Sequence, residues 1–340
     1  MFPVNLCEKL KRLIFRISVV FLAVVFIIVI GPQLLELEGS QALAKKKKGG
    51  RFCTDSAKSA YNACLNEIKD DYNIAVGKCI NVSDGEERSD CYRDAKAEYK
   101  EAKGGCKDQL EARRDICEDL GEARYDPDLD PADFSANITN TYFPLNEGKT
   151  FTYHSIDSSD GTTILQTVVV EVGGTTTIDG FPCRVVTDRV YEGDLSAPGD
   201  HNLLEDTTDW YSQDVPGNVW YFGESTIAYS YIDGNAIPDN EGTWVAGENE
   251  AKPGIIMPAN PAGQIEMLYR QEFDLGTAED LGRVIETGVA APGTSYINCV
   301  HTEDSTPMEP DIIEDKYYAP NVGLVLTIEP EATEVLISGP

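Results

Sequence analysis

The chain has 340 residues, of which 58 are acidic and 28 are basic, and its formal net charge at pH 7 is −30. The excess negative charge belongs to residues 126–340, which hold 38 acidic and only 7 basic side chains. A region this acidic repels phosphate backbones and anionic membranes, which argues against nucleic acid as a partner. The length allows two domains and a leader.

The first 44 residues have the layout of an export signal. Basic side chains lie within the first 16 residues, residues 17–30 carry no charge, and the stretch ends in Ala42-Leu43-Ala44. We predict that residues 1–44 are a cleaved signal peptide or a retained N-terminal anchor, which would enter the membrane with residues 13–31. Residues 45–52 begin with four lysines and are expected to form a basic flexible tail.

Six cysteines between residues 53 and 117 are spaced as a palindrome centred on Gly85. Eleven residues, the first and last gap, make about three helical turns, so neighbouring cysteines share a helix face. A fold-back at Gly85 predicts an antiparallel helical hairpin over residues 53–120, with helices 53–80 and 87–120. It would be closed by three disulfides, which join Cys53 to Cys117, Cys64 to Cys106, and Cys79 to Cys91.

Small and apolar residues between these cysteines recur at steps of three and four, which is typical of a coiled-coil seam. They are Ala57, Tyr61, Ile68, Tyr72 and Ala75 in the first helix, and Ala95, Tyr99, Ala102 and Leu110 in the second. Ser83 and Asp84 in the turn are expected to cap the second helix. We interpret the hairpin as a spacer or docking arm.

Two further cysteines, Cys183 and Cys299, are predicted to pair with each other. If Cys7 is set aside, the chain then has eight cysteines, an even number. Such a count behind an export signal indicates an oxidising compartment. We therefore expect a periplasmic or extracellular protein.

Residues 121–139 are predicted to be an acidic linker. Aspartates alternate in it as calcium-loop ligands do, but Pro131 stands where that loop needs glycine and Asn137 where it needs glutamate. The three histidines are far apart, and no phosphate-binding or zinc motif is present. We predict no metal site and no cofactor.

Residues 140–340 are predicted to be an acidic, mainly antiparallel β domain, because short segments rich in Val, Ile, Thr and aromatic residues alternate with turn signals. The candidate strands are 150–156, 162–173, 181–192, 204–213, 218–223, 226–232, 265–273, 295–303, 312–319, 322–329 and 333–338, and 277–284 is a candidate short helix. The fold class is therefore α+β, with the strands forming a curved sheet, an open barrel or a sandwich.

Several segments of the β domain resemble a family of secreted bacterial proteins with no assigned activity. These segments are Tyr142-Phe-Pro-Leu-Asn-Glu-Gly148, Asp209-Trp-Tyr-Ser-Gln-Asp214, Gly217-Asn-Val-Trp-Tyr-Phe-Gly-Glu224, Lys252-Pro-Gly-Ile-Ile-Met-Pro-Ala-Asn-Pro261, Tyr269-Arg-Gln-Glu272 and Lys316-Tyr-Tyr-Ala-Pro-Asn-Val-Gly-Leu-Val325. The resemblance covers most of 140–328 and implies a secreted protein.

A shorter stretch is similar to curved-sheet envelope proteins that are distantly like lipoprotein carriers. It comprises Val289–Tyr296, Cys299 and Tyr317–Val325. The resemblance implies a bent antiparallel sheet that holds an apolar ligand, and it implies no catalytic residues.

Candidate binding residues come from two places in the β domain. Trp210, Trp220 and Phe222 crowd one predicted hairpin, where they either pack in the core or line a groove for an apolar or sugar ligand. Tyr269, Arg270 and Glu272 follow one predicted strand, where charged residues either pair across the sheet or bind a ligand.

We predict an exported, non-catalytic binding or structural protein of the cell envelope or exterior, with a protein, lipid or glycan as partner. The alternative is an extracytoplasmic hydrolase that uses two carboxylates such as Glu272 and Glu314. Convergence of those carboxylates, unpaired, in one deep pocket would favour the hydrolase.

Overall fold

The computed structural model describes residues 50–339, so the predictions for the leader and for most of the basic tail lie outside the described residues. The described part of the chain begins with two long helices, α1 (Phe52–Ile80) and α2 (Gly85–Leu120). Asp84 caps α2, because its side chain accepts hydrogen bonds from the backbone N–H groups of Glu86 and Glu87 at 2.9 and 3.0 Å. Gly121, with a φ of +88°, follows the end of α2.

Three disulfides join the two helices into a hairpin. They link Cys53 to Cys117, Cys64 to Cys106 and Cys79 to Cys91, with Cα–Cα distances of 5.6, 5.8 and 5.6 Å. The predicted hairpin and its three mirror-image pairs are therefore confirmed. Few other hairpin side chains are buried, so the disulfides replace a hydrophobic core by restricting the unfolded chain.

Sixteen strands follow the hairpin, and all their pairings are antiparallel. They are β1 (Phe134–Ser135), β2 (Thr150–Asp157), β3 (Ile164–Ile178), β4 (Phe181–Glu192), β5 (Leu203–Asp214), β6 (Val219–Ile232), β7 (Asn235–Asp239), β8 (Trp244–Val245), β9 (Lys252–Met257), β10 (Leu268–Arg270), β11 (Glu272–Phe273), β12 (Leu281–Val289), β13 (Cys299–Ser305), β14 (Ile313–Ala319), β15 (Gly323–Ile328) and β16 (Ala332–Ser338).

The sheet curls into a nearly closed barrel. Its main path runs β10-β12-β13-β14-β15-β16-β2-β3-β4-β5-β6-β9-β11, and its two end strands are separated along the chain by Gln271 alone. Gly254 of β9 lies at this junction, where a Cβ would stand 2.5 Å from the backbone of Arg270 and Gln271. The predicted α+β class is confirmed, and the barrel is the architecture the chain adopts.

Some predicted elements have different boundaries. The strands predicted at 218–223 and 226–232 are one strand, β6, because Gly223 takes a φ of +131° and bends the strand without ending it. The strand predicted at 265–273 is divided at Gln271. The helix predicted at 277–284 is wrong, because Leu281 already pairs with Ser305 and begins β12.

The predicted disulfide between Cys183 and Cys299 is wrong, since both cysteines are free and buried. Cys183 is on β4 and Cys299 on β13, which are six strands apart along the sheet. They also belong to different clusters of the hydrophobic core. An even cysteine count therefore did not imply a fourth bridge.

The segment 121–139 packs along the barrel. Tyr125 Oη donates a hydrogen bond to the Pro253 carbonyl at 2.9 Å. Phe134 begins β1, and its ring centroid lies 5.0 Å from that of Phe181 and 5.8 Å from that of Phe222. The segment predicted as a linker therefore contributes to the core that lies against β4 and β6.

Candidate functional site

The barrel encloses a cavity of about 370 Å³ with largely apolar walls. Its wall side chains come from β2, β3, β4, β5, β14, β15 and β16, from β9 and from the loops at 143–145 and 322. They include Phe143, Leu145, Phe151, Tyr153, Val168, Val170, Val186, Val190, Tyr211, Ile256, Tyr318, Val322 and Leu324. Strand alternation explains this lining, because every second residue of a barrel strand faces inward.

Three carboxyl side chains and one lysine interrupt the apolar wall. They are Asp188 of β4, Asp209 of β5, Lys316 of β14 and Glu334 of β16. The cavity wall therefore carries three carboxyl groups and one ammonium group. Each has a different set of partners, and these partners decide which of the four is available to a ligand.

Asp209 is already satisfied by a neighbouring tyrosine. Tyr221 Oη donates to Asp209 Oδ1 at 2.6 Å and lies 3.2 Å from Glu224 Oε2. Burial raises the pKa of Asp209 well above its ordinary value, and burial raises the pKa of Glu224 to about 7. A protonated Glu224 can donate to the tyrosine oxygen while the tyrosine donates to Asp209.

Lys316 is also satisfied within the protein. Its Nζ lies 3.0 Å from Asp304 Oδ2 and 2.7 Å from Glu314 Oε2. Asp304 in turn accepts a hydrogen bond from Gln271 Nε2 at 3.0 Å and from Thr302 Oγ1 at 3.1 Å. The lysine charge is therefore balanced by two carboxylates of the barrel itself.

Asp188 and Glu334 have no hydrogen-bond or ion-pair partner within residues 50–339, and Oδ1 of Asp188 is buried. Burial raises the pKa of Asp188 to about 7, with Glu205 and Glu224 adding to the effect. Burial raises the pKa of Glu334 to about 8, and Asp188 is the largest charged contributor. Near pH 7, Asp188 is therefore about half protonated and Glu334 is mostly protonated, unless a positive charge lies beside them.

The aromatic residues predicted as ligand contacts pack outside this cavity. Phe222 is fully buried, and Trp220 is 9 % exposed and donates through Nε1 to Asp214 Oδ2 at 2.9 Å. Trp210 packs partly buried against the same cluster. The cluster also contains Phe181 and Trp244, so these side chains pack in the core.

A second concavity of about 910 Å³ lies where the hairpin meets the barrel. This junction cleft is lined by Phe52, Arg113 and Leu120 of the hairpin, by Tyr125, and by Trp220, Tyr269, Arg270, Phe273 and Leu275 of the barrel, among others. The Arg270 guanidinium lies 4.5 Å from the ring centroid of Phe273 and 5.4 Å from that of Tyr125. Trp220, Tyr269 and Arg270 are thus the three predicted site residues that come together.

Neither carboxylate of the predicted hydrolase, Glu272 or Glu314, lines the cavity or the junction cleft. Glu314 is ion-paired with Lys316. Glu272 is 6 % exposed, its pKa is raised by burial and by the nearby Asp280 and Glu224, and it lines neither the cavity nor the cleft. This geometry does not favour a hydrolase that uses that pair.

Sequence reasoning missed the cavity carboxylates Asp188 and Glu334. The signal was present, because Asp188 stands between Val186 and Val190 on one strand face, and Glu334 between Ala332 and Leu336. A single acidic residue on an otherwise apolar strand face indicates a buried charge.

No family model matches this chain, and no curated protein matches it. Within residues 50–339, no helix is long and apolar enough to span a membrane, and no three His, Cys, Asp or Glu side chains are arranged to hold a metal ion.

Two solved structures are similar to 59 % of the chain. One, from Bacteroides fragilis, is described as an exported protein with a YmcC-like fold; it is matched over 100 % of its length at 15 % identity with a TM-score of 0.32. The other, from Parabacteroides distasonis, is described as a lipoprotein and is matched over 99 % of its length at 13 % identity with a TM-score of 0.30. Both scores are too low to establish a common fold.

Proposed function

We propose that this chain is an exported binding protein whose barrel takes a small ligand with an apolar body. The observation that supports this most is the cavity of about 370 Å³, whose largely apolar walls are interrupted by three carboxyl groups and one lysine. Small-molecule sites usually span about 300–1,000 Å³ and combine apolar walls with a few convergent polar side chains. Export is supported by the three disulfides of the hairpin, which form and persist in oxidising compartments.

The hairpin serves, in this proposal, as an arm that holds the barrel away from an attachment point. Its root is tied to the barrel, since Gln109 Nε2 donates to the Met308 carbonyl at 2.9 Å and Arg283 pairs with Asp119 at 2.9 Å. From Cys117 to Cys91 the second helix rises about 39 Å, at roughly 1.5 Å per residue. The disulfides keep such an arm stiff without a core of its own.

A cavity-filling variant tests the binding function. Val168→Trp puts a large ring into the cavity, and Val215→Trp makes the same change on a side chain that is 78 % exposed. We expect a fluorescent apolar probe such as N-phenyl-1-naphthylamine to bind the unchanged protein and Val215→Trp equally. Val168→Trp should bind it at least ten times more weakly.

Folding has to be checked beside binding, because overpacking destabilises cores by roughly 1–3 kcal/mol. Val168→Phe is the milder variant if Val168→Trp does not fold, and it should still weaken binding severalfold. Undiminished probe binding by a folded cavity-filling variant would overturn the proposal, as would the failure of the unchanged protein to bind any apolar probe.

A further inference from the structure

The walls of the barrel cavity carry three carboxyl groups and one ammonium group, and the ammonium group is already paired. Lys316 lies between Asp304 and Glu314 at 3.0 and 2.7 Å. Asp209 accepts a hydrogen bond from the hydroxyl group of Tyr221. Asp188 and Glu334 remain, without a hydrogen bond or ion pair in the described part of the chain.

An unpartnered carboxyl inside an apolar cavity is unfavourable by itself. Leaving a buried acceptor unsatisfied costs about 1–3 kcal/mol, and more when the group is charged. Oδ1 of Asp188 is such an acceptor, since it is buried and accepts no hydrogen bond. Glu334 lines the same cavity, and the charge of Asp188 helps to raise the pKa of Glu334.

The chemistry of these two groups restricts the ligand. A neutral apolar molecule would cover Asp188 and leave its oxygen unsatisfied. An anionic one would meet three carboxyl groups and a lysine that is already paired. A bare metal ion fits poorly, because within residues 50–339 no three acidic, histidine or cysteine side chains are arranged as ligands.

We propose that the barrel binds an apolar molecule that carries an ammonium group, with Asp188 and Glu334 as the acceptors of that group. This inference rests on the proposed binding function and specifies the ligand class for the same cavity. An ammonium group supplies three N–H donors, and charge-assisted hydrogen bonds to carboxylates are about twice as strong as neutral ones. The apolar wall then takes the rest of the molecule.

Three probes that share one apolar chain test the charge. They are decylammonium, decanol and decanoate, and their binding to the full chain as exported is measured by displacement of the fluorescent probe and by calorimetry at pH 8. We expect decylammonium to bind at least ten times more tightly than decanol, and decanoate not to compete.

Isosteric variants test the two acceptors. Asp188→Asn and Glu334→Gln should each weaken decylammonium binding about tenfold while decanol binding stays unchanged. Glu248→Gln is the control, because Glu248 is exposed and outside the cavity. It should leave all three affinities unchanged.

Two results would overturn the inference. If decanol and decylammonium bound with equal affinity, the barrel would bind apolar molecules without selecting an ammonium group. Ammonium selectivity that survives both Asp188→Asn and Glu334→Gln would place the recognition elsewhere. Failure of all three probes to bind would instead reject the binding function itself.

Discussion

Arg113 of the hairpin and Glu279 of the barrel form an ion pair in which the side chains are only 6 % and 3 % exposed. The guanidinium donates from Nη2 to Oε1 at 2.6 Å and from Nε to Oε2 at 3.0 Å. Glu279 Oε1 also accepts the backbone N–H of Gly276 at 2.9 Å. This bidentate pair holds the root of the hairpin in one orientation on the barrel.

Breaking this pair should therefore loosen the hairpin. Arg113→Met leaves a buried, uncompensated carboxylate, and such changes cost about 3–5 kcal/mol. The double variant Arg113→Met with Glu279→Met removes both charges and should recover much of that loss. Urea unfolding measures the stability, and fluorescence transfer between labels on the hairpin tip and the barrel measures its orientation.

An exposed ion pair provides the matched control. Arg93 and Asp90 lie 2.7 Å apart on α2, with side chains 69 % and 50 % exposed. Arg93→Met should leave both measurements unchanged, because surface pairs contribute little. If Arg113→Met proved as harmless as Arg93→Met, the hairpin would not be anchored by the buried pair.

The distal disulfide should stiffen only the far end of the arm. Replacing Cys79 and Cys91 together by serine removes the disulfide nearest the turn and leaves the two disulfides nearer the barrel. We expect faster amide exchange around residues 75–95 and unchanged exchange in the barrel, since the root of the hairpin is held on the barrel by Gln109, Arg113 and Asp119. Loss of protection in the barrel would mean that hairpin and barrel unfold together.

Gly254 should be the most sensitive glycine of the barrel junction. Its Cβ would stand 2.5 Å from the backbone of Arg270 and Gln271, so Gly254→Ala must push β9 away from the 270–271 segment. We expect a loss of about 3 kcal/mol or more, as for other strained core changes. Thermal unfolding followed by circular dichroism measures it.

Gly174 in β3 is the control for that substitution, because a Cβ there meets nothing within 4 Å. Gly174→Ala should change stability only slightly. Equal melting temperatures for the two variants would contradict the closure of the barrel at Gln271.

The fold was more predictable than the site. The hairpin and its disulfides could be predicted from the cysteine spacing alone. A disulfide needs Cα atoms within about 4.4–6.8 Å, and in two straight antiparallel helices only cysteines equally far in sequence from Gly85 come that close. Strands of the β domain followed from alternation. Closure of the barrel did not, because it depends on pairing between β10 and β12, and between β9 and β11, at the two ends of one long path.

The cavity residues could not be predicted from the sequence because they too depend on how the barrel closes. Trp220 and Phe222 were predicted as candidate binding residues because they are large and aromatic. They lie instead on the strand face that packs against Phe134 and Phe181. Tyr221, between them, faces the opposite way and reaches Asp209. Which face of a strand surrounds a cavity depends on how the whole sheet curls, and a single sequence does not specify that.

The cavity carboxyls should make stability depend on pH in a defined direction. In the folded chain the pKa of Asp188 is raised to about 7 and that of Glu334 to about 8, so the folded state holds protons that the unfolded state releases above about pH 4. Their contribution to the free energy of unfolding therefore falls between about pH 4 and 8. The charged groups that face them are Glu205, Asp209, Glu224, Glu314, Lys316 and Glu329.

Removing one of these charges should stabilise the protein only at high pH. We expect Asp188→Asn to raise the free energy of unfolding by about 1–2 kcal/mol at pH 8.5. This is less than the whole pKa shift would give, because the Asp188 side chain is only partly buried. At pH 4 the variant and the unchanged protein should be equal. A gain of the same size at both pH values would show that the effect does not come from ionisation of Asp188.

The most direct test is a crystal structure of the protein grown with 10-bromodecylammonium, in which the anomalous signal of bromine marks the end of the chain. We predict that the nitrogen lies within about 3 Å of the carboxylates of Asp188 and Glu334, and that the bromine lies against apolar wall residues of the same cavity. A bromine peak in the junction cleft beside Phe273, or a barrel without the probe, would contradict it.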